Sequence, residues 1–127
     1  MKVIKKKIVY RPYLLKKKIV VNSWKFSKIL ISSHYEENHG SYMNDEKILR
    51  IVKKLDKRND FIPHRQGKLP NGIEWQSFFE EPFFLKDKTK EKAYRLVWYW
   101  EIGNPTLLII HCHRRKKYEN QKKYKEK

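Results

Sequence analysis

Tyr94-Arg95-Leu96-Val97-Trp98-Tyr99-Trp100-Glu101-Ile102, then Gly103-Asn104-Pro105, then Thr106-Leu107-Leu108-Ile109-Ile110-His111-Cys112-His113 is the stretch that decides the fold. Both flanks are rich in β-branched and aromatic residues, and the three residues between them are turn formers. The pattern predicts an antiparallel hairpin. His111 and His113 are two apart on a strand and share one face, with Leu107 and Ile109, while Leu108, Ile110 and Cys112 face the other way. An odd number of loop residues sets Arg95 beside His113, and Val97 and Tyr99 near His111 and Ile109. An even number puts Trp98 and Trp100 there instead. The first register is favoured, because it leaves Leu96, Trp98 and Trp100 to build a core with Leu108 and Ile110.

Working toward the N-terminus, Lys86–Lys92 is a charged loop. Ile73–Glu80 alternates, with Ile73, Trp75, Ser77 and Phe79 on one side and Phe78 on the other. Pro82 is expected to break it before Phe83-Phe84-Leu85. Phe61–Gln66 is extended and Gly67–Gly72 is a loop. Ile48, Ile51, Val52 and Leu55 fall at i, i+3, i+4 and i+7 behind an Asn44-Asp45-Glu46 start, which predicts an amphipathic helix. Ser33 and Glu36 match a capping box for a shorter helix closed by Gly40. Trp24–Ile31 reads as a strand with Trp24, Phe26 and Ile29 inward. Residues 2–10 and 13–21 read as two extended segments separated by Arg11-Pro12. The expected class is α+β: two short helices followed by an antiparallel sheet of three to four strands, with extra N-terminal strands.

The formal net charge is +17 on 127 residues. It concentrates at the two ends. Residues 1–21 carry +8 and residues 114–127 carry +6, against +3 for residues 22–113. The expected organisation is therefore a basic extension (1–21), one α+β core domain (22–113) and a basic tail (114–127). Cationic ends suit phosphate backbones, because each neutralised phosphate releases counterions. RNA is the expected partner. A lysine-rich surface is also what biased base composition alone produces. No apolar run reaches the roughly 20 residues of a membrane span, no signal-peptide core is legible, and the single Cys112 asks for no disulfide. A cytoplasmic protein without a membrane partner is expected. Walker, dinucleotide-binding and zinc-finger spacings are missing, and no cofactor or metal is expected. His111-Cys112-His113 offers ligand types, but the cysteine faces away from both histidines and no CxxC or HxxxH spacing accompanies it.

Metal-free RNA cleavage needs a base for the 2′-OH, an acid for the leaving oxygen and cations for the phosphorane. Histidine serves either proton role near neutrality, and arginine supplies a fork for phosphate oxygens. Candidate catalytic residues are His111, His113, Arg95 and His64. Candidate nucleic-acid contacts are Arg65, Arg114, Arg115, Lys116, Lys117 and, by stacking, Tyr99. His34 and His39 flank the short helix. On one regular helix, residues five apart diverge by about 140°, so they need not share a site.

The order of Ser32-Ser33-His34 opening a helix, the Asn44…Ile48…Val52…Leu55 helix, the Tyr94-Arg95-Leu96-Val97 strand and the final Ile109–Arg115 strand resembles the small RNA-cleaving toxin fold. That fold is shared by RelE-like, barnase-type, EndoU and colicin-like nucleases and their phage-borne relatives. The resemblance spans about two thirds of the chain. It implies a toxin-type endoribonuclease restrained by an acidic, antitoxin-like partner, with Arg95, His111 and His113 as the residues carried over. RelE-like members lean on Lys, Arg and Tyr, so this histidine-rich chain departs from them. A non-catalytic RNA- or ribosome-binding accessory protein is the alternative. It needs exposed aromatics and charge but no converging histidines.

Overall fold

Two strands open the fold as a hairpin in the computed structural model, which describes residues 7–119. They are β1 (Tyr10–Val21) and β2 (Trp24–Ser32). Asn22 and Ser23 join them with positive φ at both positions (51° and 69°), the hand that matches the twist of paired strands. A 3-10 turn (Ser33–Tyr35), α1 (Glu36–His39), α2 (Asp45–Val52) and a second 3-10 turn (Lys53–Leu55) follow. The chain then lays down β3 (Arg65–Lys68), β4 (Glu74–Asp87), β5 (Lys90–Glu101) and β6 (Thr106–Arg114), and ends the described part with α3 (Lys116–Glu119).

The described residues form one mixed six-stranded sheet in the order β1-β2-β6-β5-β4-β3. The class is α+β, as expected, but the sheet is larger and not purely antiparallel. β3 to β6 run as a meander, and β6 then lies parallel to β2, from Lys28 opposite Thr106 to Ile31 opposite Ile109. Among the described residues the N-terminal segments give one strand. Tyr10–Val21 is a single strand running through Pro12, which a sheet edge tolerates because no neighbour needs the missing N–H. β1 also delivers Ile19 and Val21 to the core, so residues 10–21 belong to the sheet that the chemistry-bearing strands share. Residues 2–6 of the expected first segment lie outside the described residues, as do residues 120–127 of the tail. Pro82 does not break β4, because a bulge between Glu80 and Phe83 absorbs it.

α2 forms as its periodicity predicts. Asn44 caps it by accepting from the Lys47 N–H at 2.9 Å, and Ile48, Ile51 and Val52 are buried. The capping box at Ser33 is not used. Ser32 is the cap, accepting from the His34 N–H at 3.2 Å. Ser33 Oγ instead accepts from the Val9 N–H at 2.9 Å. Ile48, Ile51 and Val52 of α2 share one core cluster with Leu96, Trp98 and Trp100, where the two indoles pack against Phe26 and Phe78 at ring separations of 4.5 to 5.2 Å. Trp24, expected inward, is instead 41% exposed, since it sits at the hairpin turn.

The β5–β6 register sets Arg95 opposite His113 and Val97 opposite His111, the first of the two registers considered. The inward set on β6 differs from expectation. Leu107, Ile109 and Cys112 are buried, whereas Leu108 and Ile110 are half-exposed. The cause is a bulge. Val97 pairs with His111 but Trp98 pairs with Ile109, so Ile110 is an extra residue that inverts the alternation. Tyr99 consequently pairs with Leu108 and moves away from the histidines.

Candidate functional site: a histidine cluster where two strands part

β2 leaves the sheet after Ser32, while β6 continues to Arg114. The 3-10 turn and α1 therefore fall alongside the free edge of the last β6 residues. The bulge turns His111 and His113 to the face opposite Leu96 and Cys112. His34 and His39 come down from the other side. The rings of His34 and His111 are 5.5 Å apart, those of His39 and His111 5.1 Å, and those of His111 and His113 5.0 Å. His39 stacks on His113 at 5.2 Å with an interplanar angle of 18°. Four of the five histidines thus share one site.

The segment from Ser33 to His39 begins as a 3-10 turn and is not one regular helix, which is why the two histidines can meet the same partner. Tyr42 completes the cluster. Its hydroxyl lies 2.7 Å from His39 Nδ1 and accepts from the Arg114 N–H at 3.2 Å. His34 Nδ1 lies 3.6 Å from Glu37.

Burial and mutual repulsion set the protonation. Burial pushes His111 down to about 4, assisted by the positive charges that His113, His39, His34 and Arg95 bring. His113 is lowered by burial and then by His39, Arg95 and Arg115, against the opposing Glu81. His39 is lowered by burial and by His34. The Nδ1 atoms of His111 and His113 are buried with no hydrogen-bond partner among the described residues.

These groups bind fewer protons folded than unfolded below the ordinary imidazole value of 6.5. Their contribution to stability is whole above that value and declines as pH falls toward the folded values. Unfolding free energy measured by urea titration is expected to drop between pH 6.5 and about 4. His111 accounts for roughly 2 kcal/mol of that drop after allowance for solvent screening. The His111→Gln variant should lose most of this slope.

The other expected site residues divide around Glu81. Arg95 lies beside His113, but Glu81 accepts from its Nε at 2.8 Å and its Nη2 at 3.1 Å. Arg115 Nε approaches the same carboxylate at 2.7 Å, and the Tyr118 hydroxyl donates to it at 3.1 Å. Arg95 is thus a positioned neighbour, not an open fork. His64 does not join the cluster. Its ring meets Phe79 edge-on at 4.7 Å, and the Arg95 guanidinium lies 5.1 Å from the Phe79 ring.

Arg65 is exposed on β3. Tyr99 tilts against Trp75 at 5.9 Å and donates its hydroxyl to Glu101 at 3.1 Å. Arg114 pairs with Glu119 at 2.7 Å. Arg114, Arg115, Lys116 and Lys117 nevertheless line one groove of about 380 Å³ together with Tyr42. Tyr42 therefore belongs both to the basic groove and, through His39, to the cluster.

His34, His39, Tyr42 and Glu81 are site residues that the sequence reading does not select. The sequence holds one signal for Tyr42: at three residues beyond His39 it can reach that side chain. Nothing local announces Glu81, which reaches the site through the β4 bulge. No protein-family model, curated protein or solved structure matches the chain. No helix among the described residues is long and apolar enough to cross a membrane.

Proposed function

We propose that the chain binds RNA and cleaves it without a metal, as a toxin-type endoribonuclease acting in the cytoplasm. The observation that carries this reading is four imidazoles linked by ring contacts through His111 and His113, joined through Tyr42 to a groove of Arg114, Arg115, Lys116 and Lys117. Among the described residues the carboxylates beside this cluster are few: Glu37 faces His34 alone. Arg95 and Arg115 already take the Glu81 carboxylate. A phosphodiester supplies further negative charge, and an anion within about 4–6 Å raises imidazole basicity toward neutrality. His111, half-buried and neutral when the site is empty, is the base for the 2′-OH. His34, in contact with His111 and facing Glu37, is placed to return a proton to the 5′-oxygen.

The experiment is incubation of the full chain with a synthetic RNA in excess chelator. Strand scission leaving 2′,3′-cyclic phosphate ends supports the reading, and intact RNA contradicts it. Binding to a single strand through about five phosphates implies a slope of log K against log salt near −3.5. Lys116→Gln with Lys117→Gln should flatten it by about 1.4, since each lysine neutralises one phosphate.

The same measurements address the alternative, a non-catalytic RNA-binding protein. Trp75 against Tyr99 and Phe79 against His64 on the open sheet face favour it as stacking platforms for unpaired bases. It predicts the salt slope without scission. An acidic protein partner remains part of the proposal. The groove between β1 and α2 combines Leu14, Leu15 and Leu49 with Lys16, Lys17 and Lys18, which suits an amphipathic segment bearing carboxylates.

A further inference from the structure

We propose that His39, His111 and His113 form a binding site for one first-row divalent transition ion, zinc foremost. Each offers a ring nitrogen, and the three nitrogens all lie within 4.8 Å of one another. Three imidazoles around tetrahedral zinc have nitrogens about 3.4 Å apart. Rotation of these half-buried rings, His39 on α1 and His111 and His113 on β6, is the movement the ion would require to close the remaining gap. This donor set is all nitrogen, which selects zinc, copper, nickel or cobalt over magnesium and calcium. Cys112 takes no part, because it is buried on the opposite face of β6.

Two independent features point to the same use. The Nδ1 atoms of His111 and His113 are buried polar atoms with no hydrogen-bond partner among the described residues, and a native interior rarely leaves such atoms orphaned. Tyr42 stands behind His39 in the manner of an outer-shell partner. Its oxygen accepts from the Arg114 N–H and has a second lone pair for His39 Nδ1–H. That tautomer leaves the other ring nitrogen free for an ion. Three protein ligands leave a fourth position open.

The site stands on this geometry and does not rest on the RNA reading. The two meet in one consequence. A bound ion takes the lone pairs that RNA cleavage would use, so zinc should inhibit any cleavage the metal-stripped chain performs.

The test is titration of the metal-stripped full chain with Zn²⁺ by calorimetry and with Co²⁺ by visible absorption. One ion per chain and the spectrum of four-coordinate cobalt are expected. His39→Ala, His111→Ala and His113→Ala should each weaken binding by at least about 100-fold, and Tyr42→Phe by about 10-fold. His64→Ala should leave it unchanged. Far-UV circular dichroism and thermal unfolding accompany each variant, and the glutamine replacements serve where alanine unfolds the chain. Absence of saturable binding by the parent chain, or parental affinity in folded His39→Gln and His113→Gln variants, overturns the site. Intact ion binding with no RNA scission overturns the proposed function and leaves the site standing.

Discussion

The His111→Ala/His113→Ala variant is expected to cleave RNA roughly 10²–10⁴-fold more slowly than the parent chain, the range that one positioned acid–base group commands. The two side chains share a ring contact and a burial environment. Their single replacements should therefore each remove most of the rate, and the double replacement should add little. The loss should fall on kcat. Lys116 and Lys117 line the adjoining groove and are the proposed phosphate contacts, so affinity should change only a few-fold. His64→Ala provides the contrast. Its ring touches Phe79 and not the cluster, and its removal should cost less than about tenfold in rate. Single-turnover scission of a labelled oligonucleotide separates these effects. A double variant with the parental rate would remove the histidines from the chemistry.

Asp45→Ala is expected to lower the unfolding free energy by about 3 kcal/mol, the lower end of what breaking a buried charged network costs, because Arg11 is a third exposed. Asp45 opens α2 and accepts from Arg11 Nε at 2.6 Å, Arg11 Nη2 at 2.8 Å and the Tyr35 hydroxyl at 2.8 Å, and from the Tyr13 hydroxyl. It ties β1, the Ser33–Tyr35 turn and α2 together, and that turn carries His34. Asp45→Asn keeps an acceptor and should lose less. Burial alone would raise the Asp45 pKa, but the hydrogen bonds from Arg11, Tyr13 and Tyr35 outweigh it and hold the carboxyl below its ordinary 3.8. Because the folded value is the lower one, this contribution is present above pH 3.8 and is lost as pH falls through the folded value. Acid unfolding should therefore proceed in two stages, first the histidines and then Asp45. The second stage should be missing in Asp45→Ala. Urea titrations across pH check both points.

What was legible in the sequence follows from how locally each feature is encoded. α2 declares itself through four apolar residues on one face and an asparagine cap. The last hairpin declares itself through β-branched and aromatic runs around Gly103, whose φ of 89° suits the tight turn there. The pairing of Arg95 with His113 follows from the need to bury Leu96, Trp98 and Trp100. The bulge at Ile110 is a different matter. Leu108, Ile109 and Ile110 are interchangeable in hydrophobicity, so no local pattern says which residue the ladder skips. The parallel pairing of β2 with β6 joins segments about 80 residues apart, and only that pairing explains why α1 lands on His111 and His113. His34 and His39 diverge on a regular helix, but a 3-10 turn leading into a single helical turn brings both to His111.

The central claim is that His34, His39, His111 and His113 act as one anion-seeking site. Its most direct test is a proton NMR titration of the five histidine Cε1–H signals with pH. The titration is repeated with a 2′-O-methyl oligonucleotide, which binds and cannot be cleaved. In the free chain, His111 should titrate near 4. With the oligonucleotide bound, the signals of His39, His111 and His113 should move together and their midpoints should rise toward neutrality. Midpoints for His39, His111 and His113 that stay where they were in the free chain, with only His64 and the open-face aromatics responding, would contradict the account.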